Sequence, residues 1–540
     1  MFGKVKTACV LGIDGYLIDV EVDIANGLPQ VTVVGLPDAA VRESIERVRA
    51  AVKNCGYAFP MERVTVNLAP ADVRKEGASY DLAIALCLLA TSSQLQTKVL
   101  ENCLVIGELA LDGSLRPVPG VLAMVHHARS KGINRIILPA DNGKEALLIE
   151  GIEVLPIRHL QEVRVLEEQG ESVWKIYRQS SVTDSRSGAG YGTVTGGNAC
   201  TEDSVGMLEE LRAVPSEIAG QLDYGDIFGQ QHAKQAMMIA AAGFHNLVLI
   251  GPPGTGKTML IRRLPTILPD LSDDEALDAT KIYSVAGKMT GRAQLLRTRP
   301  FRAPHHTISA AGLVGGGSIP RPGEVSLAHH GVLFLDELPE FSRIALEVLR
   351  QPLEDRVVTI GRARAVFSFP AHFMLTCSMN PCPCGFYSGD TAESRCTCSP
   401  LKVAQYRSRI SGPLLDRIDL HVEVPKVDYD ELSGDETPLS STEMKNRILS
   451  AQERQTRRYV GSGIRRNGEL AGKLLRLHCR LEPEAEDLLK QAFQGMGLSV
   501  RAHDRILKIS RTIADLDGAD RIGTEHMAQA VTYRCLDRKL

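Results

Sequence analysis

Gly251–Thr258 reads GPPGTGKT, a G-x-x-x-x-G-K-T loop. Glycines at this spacing let successive backbone N–H groups turn inward and cradle phosphate oxygens. Lys257 is then placed to reach β- and γ-phosphates, and Thr258 to offer its hydroxyl to Mg²⁺. The expected nucleotide contacts are Gly251, Pro252, Pro253, Gly254, Thr255, Gly256, Lys257 and Thr258, with Ile227 in the upstream DIFGQ segment. Further along, GVLFLDELPEF carries four apolar residues, Val332 to Leu335, ahead of Asp336 and Glu337. Asp336 is expected to hold Mg²⁺ through its water shell, and Glu337 to orient or polarise an attacking water. The chemistry these residues could perform is hydrolysis of ATP with Mg²⁺.

A different chemistry is offered by NPCPCGFYSGDTAESRCTCSP, where Cys382-x-Cys384 and Cys396-x-Cys398 are separated by eleven residues. Four thiolates suit a closed tetrahedral Zn²⁺ site, although C-x-C is tighter than the usual C-x₂₋₄-C spacing. Free structural thiols and a redox or iron–sulfur centre are the alternatives. Cys377, just upstream, is expected to be a small core residue.

These groups need elements to position them. NLVLIGPPGTGKTMLIRRL supplies an apolar strand before the phosphate loop and a helix after it, and Val332–Leu335 is a buried strand delivering both carboxylates at its carboxyl end. The first 168 residues alternate strand-like runs such as YLIDVEVDI and RVTVNLAP with helical stretches such as DAAVRESIERVRAAVKNCG, an α/β domain of its own. Residues 169–222 are rich in Gly, Ser, Thr and Asp without apolar periodicity and read as a flexible linker. Residues 223–428 form the α/β core that carries the motifs, with a Cys-rich insert at 377–400. From 441 to 540 the chain reads as helical, Ile506, Ile509, Ile513 and Leu516 falling on one face.

A chain of 540 residues accommodates several such domains. Its net charge of −3 means that any contact with nucleic acid must come from a local basic patch. The N-terminus lacks the apolar core of a signal peptide and no run approaches the ~20 apolar residues of a membrane span, so a cytoplasmic protein without membrane partners is expected. In that compartment thiols stay reduced, which favours thiolate–metal ligation over bridges for the cysteine pairs.

GPPGTGKT together with LFLDELPEF resembles the AAA+ ATPases. The intervening FRAPHHTISAAGLVGGGSIPRPGEVSLAHHG resembles their magnesium-chelatase and MCM-helicase branch, whose second helix carries an insertion there. The resemblance implies that Asn380, in FMLTCSMNP, is the sensor-1 residue beside the γ-phosphate. Arg417, in GPLLDRIDL, is implied to be the arginine finger acting in the neighbouring subunit's site. In the helical lid Arg501 is the sensor-2 choice, with Arg505 as its substitute. Motors of this branch also carry a hairpin before sensor 1 that projects into the ring pore. Here DRVVTIGRARAVFSFPAHFML places Arg362 and Arg364 at or near a hairpin tip, where cations repeated around a ring would grip a phosphate backbone.

NLAPADVRKEGASYDLAIALCLLA, followed by GELALDGSLRPVPGVLAMVHHARSKG, resembles the Lon-protease domain, a ribosomal-S5-like fold. Ser79 falls at that family's nucleophile position. The lysine that would activate it is replaced by Leu122, and Lys131 lies nine residues further on. A serine hydroxyl without a base is a poor nucleophile, so an inactive peptidase scaffold is expected, with Ser79 serving as a helix cap.

The order of Lon-like domain, linker, chelatase-type AAA+ core and helical lid resembles the YifB/ComM family of magnesium-chelatase-like proteins along nearly the whole chain. That resemblance implies a homo-hexameric, ATP-driven motor on single-stranded, double-stranded and branched DNA. Its work would be branch migration that extends heteroduplex when transforming DNA recombines, with recombinase machinery as further partners. A chelatase-like metal-insertion or remodelling ATPase and a Lon-type ATP-dependent protease are the competing expectations.

Overall fold

The computed structural model describes residues 1–96, 100–164, 174, 222–289, 294–317, 320–362, 365–387, 396–426, 439–534 and 536. The expected linker at 169–222 lies outside them, apart from Trp174 and Leu222. Two compact units emerge, one comprising Met1–Thr201 with Leu277–Leu295, the other Glu202–Ala276 with Leu296–Leu540.

The first unit is built on a seven-stranded mixed sheet. In spatial order its strands are Gln30–Val34, Arg63–Ala69, Asp14–Ala25, Phe2–Leu11, Cys103–Val105, Arg135–Pro139 and Glu153–Ile157. Val20, Val22 and Ile24 alternate with more exposed residues along the third of these, as a strand with one buried face requires. Helix Asp81–Thr91 is buried at every position, and its Leu- and Ala-rich sequence allows this at little polar cost. Separate apolar clusters form around Val5, Ile18 and Leu82 and around Ala8, Leu104 and Leu122.

The second unit carries a five-stranded sheet in the order Phe301–Arg302, Val332–Leu335, Met374–Met379, Leu247–Ile250 and Leu420–Glu423. Every pairing in it is parallel. Its inner strands are buried throughout, which explains their unbroken apolar sequence. Parallel strands present all their carboxyl ends at one edge, so residues from distant parts of the chain meet there. The C-terminal helices Ser441–Arg458, Pro483–Met496, Val500–Leu516 and Thr524–Thr532 share one apolar cluster with this sheet. Ile506, Ile509 and Ile513 are fully buried on one helix face, as their spacing predicts. Ser440 and Glu443 form a capping box that fixes where the first of these helices begins.

Candidate active site

Strand register assembles the site. Leu335 pairs with Cys377 and Ile250 with Met379, so Asp336 emerges beside Ser378 and the phosphate loop beside Asn380. In the loop, Gly254 and Gly256 adopt φ of 80° and 82°, a region that side chains disfavour. Lys257 Nζ donates to the carbonyls of Gly251 and Pro252, both at 2.7 Å, and lies 3.4 Å from Asn380 Oδ1. Burial lowers the pKa of this ammonium while the nearby Asp336 carboxylate opposes the shift.

Thr258 Oγ1 donates to Asp336 Oδ2 at 3.1 Å, bringing two hard oxygen ligands together as Mg²⁺ prefers. Ser378 Oγ donates to Asp336 Oδ1 and accepts from the backbone N–H of Glu337 at 3.2 Å. Glu337 itself sits at φ 54°, a left-handed conformation costly for a residue with a side chain. Its carboxylate is largely exposed, and His306 Nδ1 stands 3.9 Å from Oε2. The Asp336 carboxylate is thus held by two hydroxyls, while the neighbouring Glu337 carboxylate is largely exposed.

Ser378 and His306 escape a motif reading. Ser378 has a weak signal, since it precedes Asn380 by two and strand alternation puts both on one side. His306 could have been suspected only as one of the paired histidines in APHH.

The remaining expected residues fall in several places. Ile227 is buried in the apolar cluster, where its carbonyl accepts from Lys234 Nζ. Arg417 donates to Glu354 and, at 2.7 Å, to the carbonyl of Pro413. That arginine holds the Glu354 carboxyl below its ordinary pKa. Arg501 is 61% exposed and 4.0 Å from Asp416, the residue before Arg417. Arg505, the substitute, is committed elsewhere, donating at 2.8 Å to buried Asp419. Burial would raise the pKa of Asp419, but His245, Arg505 and Lys508 together hold it far below the carboxylate range.

Val357–Arg362 and Ala365–Pro370 pair antiparallel up to Arg362 opposite Ala365, forming the expected hairpin. Arg364 lies outside the described residues. Arg362 is at the hairpin end and donates to the carbonyl of Gly317, next to the small hairpin made by Gly315–Gly316 and Arg321–Pro322. The four cysteine sulfurs, from Cys382, Cys384, Cys396 and Cys398, all lie within 4.8 Å of one another. Cys377 is fully buried in strand Met374–Met379.

In the first unit Leu122 is buried in helix Val121–Ser130, and Lys131 stands at that helix's C-terminal cap. The capping role expected of Ser79 is corrected: the helix starts at Asp81, Tyr80 occupies the cap position, and no side-chain hydrogen bond is made there. Asp81, the first helical residue, instead turns its buried carboxylate to the partly buried Arg47 at 2.8 Å. No helix among the described residues is long and apolar enough to cross a membrane.

Three magnesium-chelatase family models match the chain. The model for "Magnesium chelatase, subunit ChlI" covers residues 223–432, that for "Subunit ChlI of Mg-chelatase" 20–142, and that for "Magnesium chelatase, subunit ChlI C-terminal" 438–534. The uncharacterized protein YifB of Escherichia coli is 43% identical over 537 residues, covering 99% of this chain and 97% of that protein. The competence protein ComM of Haemophilus influenzae is 41% identical over 535 residues, covering 98% and 97%. Lon protease 2 of Bacillus subtilis is 29% identical over 172 residues, covering 29% of this chain and 30% of that protein.

Proposed function

The chain belongs to the YifB/ComM family of magnesium-chelatase-like AAA+ proteins, and from that premise we propose that it is an ATP-dependent, homo-hexameric motor driving branch migration of DNA during recombination. The observation that carries the ATPase half is the convergence of Lys257, Thr258, Asp336, Ser378, Glu337 and Asn380 at one sheet edge. When bound, Mg²⁺ neutralises charge on the phosphate oxygens. The protein's own part is positional: Lys257 and the loop amides hold the phosphates, Glu337 orients the water, and Arg417 stabilises developing charge in the adjoining subunit. A finger supplied in trans makes hydrolysis depend on assembly.

The DNA half rests on Arg362 at its hairpin end and on the similarity to a competence protein. Six copies of such a hairpin around a ring would offer cations to a phosphate backbone without reading sequence. A metal-insertion ATPase has no use for a cation there, and proteolysis lacks a lysine at position 122.

Purified protein should move a four-way or three-stranded DNA junction in an ATP-dependent manner, with Lys257→Ala inactive. A hexamer that hydrolyses ATP but leaves both junctions unmoved would overturn the motor assignment. Arg362→Ala combined with Arg364→Ala should lose junction processing while retaining ATP binding.

A further inference from the structure

The stretch from Pro381 to Tyr387 and from Cys396 to Ser399 contains no helix or strand, yet it sits between two parts of the ATPase site. Cys382 follows Asn380 by two residues, and Cys398 precedes by two the helix Pro400–Arg407 that leads toward Arg417. The sulfur separations are 3.2 Å for Cys382–Cys384, 3.8 Å for Cys382–Cys396 and 3.6 Å for Cys384–Cys396. Four sulfurs at ~2.3 Å from one tetrahedral Zn²⁺ would stand ~3.8 Å apart. A disulfide would need sulfurs at about 2 Å. The spacing therefore fits a single ion held by all four thiolates.

The loop carrying the first pair is also pressed against the phosphate loop. Gly385 N–H closes a turn onto the carbonyl of Cys382 at 3.0 Å, and Gly385 adopts φ 85°. A methyl group at Gly385 would lie 2.6 Å from Cδ of Pro253. Arg407 fixes the same loop from the other side, donating to the carbonyl of Pro381 at 3.2 Å and covering the Tyr387 ring at 5.4 Å. Lys426 covers the neighbouring Phe386 ring at 5.5 Å, and Pro381, Cys382 and Gly385 are buried.

We propose that Cys382, Cys384, Cys396 and Cys398 bind one Zn²⁺ per chain, and that this ion braces Gly385 against Pro253 so that nucleotide affinity depends on metal occupancy. The ion takes no part in hydrolysis; it ties the Cys382–Cys384 turn to the Cys396–Cys398 segment and so adds to the contacts that hold the loop. The inference rests on the ATP-binding part of the proposed function and is independent of its DNA part.

Elemental analysis of freshly purified full-length protein should give one zinc per chain, released stoichiometrically by a mercurial titrating the four thiolates. Co²⁺ exchanged into the site should show the visible bands and sulfur-to-metal charge transfer of tetrahedral thiolate ligation. Zinc removal should weaken binding of a fluorescent ATP analogue by about tenfold, and readdition of zinc should restore it. Gly385→Ala should keep the zinc yet weaken the analogue by about tenfold, because the added methyl displaces Pro253. Cys396→Ser with Cys398→Ser, at half-buried positions, should lose both zinc and affinity while far-UV circular dichroism stays unchanged. Folded protein with no zinc, with another metal in its place, or with a Cys382–Cys384 disulfide would overturn the metal assignment. Unchanged affinity in zinc-free protein and in Gly385→Ala would overturn the brace. Failure of junction processing with zinc and affinity as stated would instead count against the DNA motor.

Discussion

The phosphate loop of the second unit and the Lon-like segment of the first each place a chemically capable side chain beside a helix start, but they use their polar atoms differently. Around Asp336 and Lys257 the donors and acceptors bind one another at the open end of a parallel sheet, where a phosphate can displace or join them. In the first unit the polar groups near the start of helix Asp81–Thr91 and near Leu122 are absorbed into structure. Asp81 is spent on Arg47 and on the N–H of Leu109, Lys75 on the carbonyl of Pro70, and Glu145 on the N–H of Leu122, Asn142 and Ser284. Position 122, where the Lon resemblance would place the lysine, is a buried leucine. A site stays chemically competent when its polar partners are exchangeable, and becomes a scaffold when they are committed to the backbone and to buried ion pairs.

The sharpest test of this contrast is Arg417→Ala, which should lower the ATPase turnover number on the order of a thousandfold while ATP binding is retained. Phosphate release and analogue titration separate the two effects. A comparable loss of binding would mean that the residue works within its own subunit.

Acidification should distinguish the units next. In the second unit burial, with Arg356 and His330 adding to it and Glu275 opposing, pushes the His372 pKa down to about 3. Burial also holds His329 and His421 well below the ordinary histidine value. The native state thus binds fewer protons than the unfolded chain, so stability present above pH ~6.5 is lost as pH falls toward 3, on the order of several kcal/mol. In the first unit His126 and His127 are likewise lowered by burial, but Asp81 has the opposite sign. Burial, outweighing Arg47, raises Asp81 to about 6, so this carboxyl adds stability as pH falls from about 6 to about 4. Trp174, the single tryptophan, is buried in the first unit with Arg135 over its ring. In an acid titration far-UV circular dichroism should therefore be lost before tryptophan emission shifts; the opposite order would refute this assignment of charge.

A smaller effect is expected from Ser378→Ala. Removing the hydroxyl that holds Asp336 and Glu337 should cost about ten- to a hundredfold in turnover, with a raised Mg²⁺ requirement, because outer partners of a metal ligand typically contribute that much. An unchanged magnesium dependence would show that Ser378 only packs. The smallest change is predicted for Ser79→Ala, which should leave ATPase rate and thermal stability within about twofold and about 0.5 kcal/mol. Peptide cleavage abolished by this substitution would turn the scaffold back into an enzyme.

The phosphate loop, both acidic residues and Asn380 were legible because a strand-loop-helix pattern and a buried strand end leave local marks in sequence. The hairpin ending near Arg362 was legible for the same reason, from two β-rich runs flanking GRARA. Ser79 misled: a serine just before an apolar helix reads as a cap, yet the helix starts at Asp81 with Tyr80 in the cap position and Asp81 paired with Arg47. Ser378 looked like any strand residue, and the link from Arg417 to Glu354 spans 63 positions with no periodicity to betray it.

By itself the sequence determined the phosphate loop, its carboxylates, the leucine at position 122 and the paired cysteines, since each depends on residue type within a short window. Only the tertiary structure decided that Ser378 orients Asp336, that Arg505 is consumed by Asp419, and that the cysteine loop rests on Pro253. Those relations depend on the register of parallel strands and on close packing between segments far apart in the chain. Such distances are fixed when the whole core closes, and no local pattern encodes them.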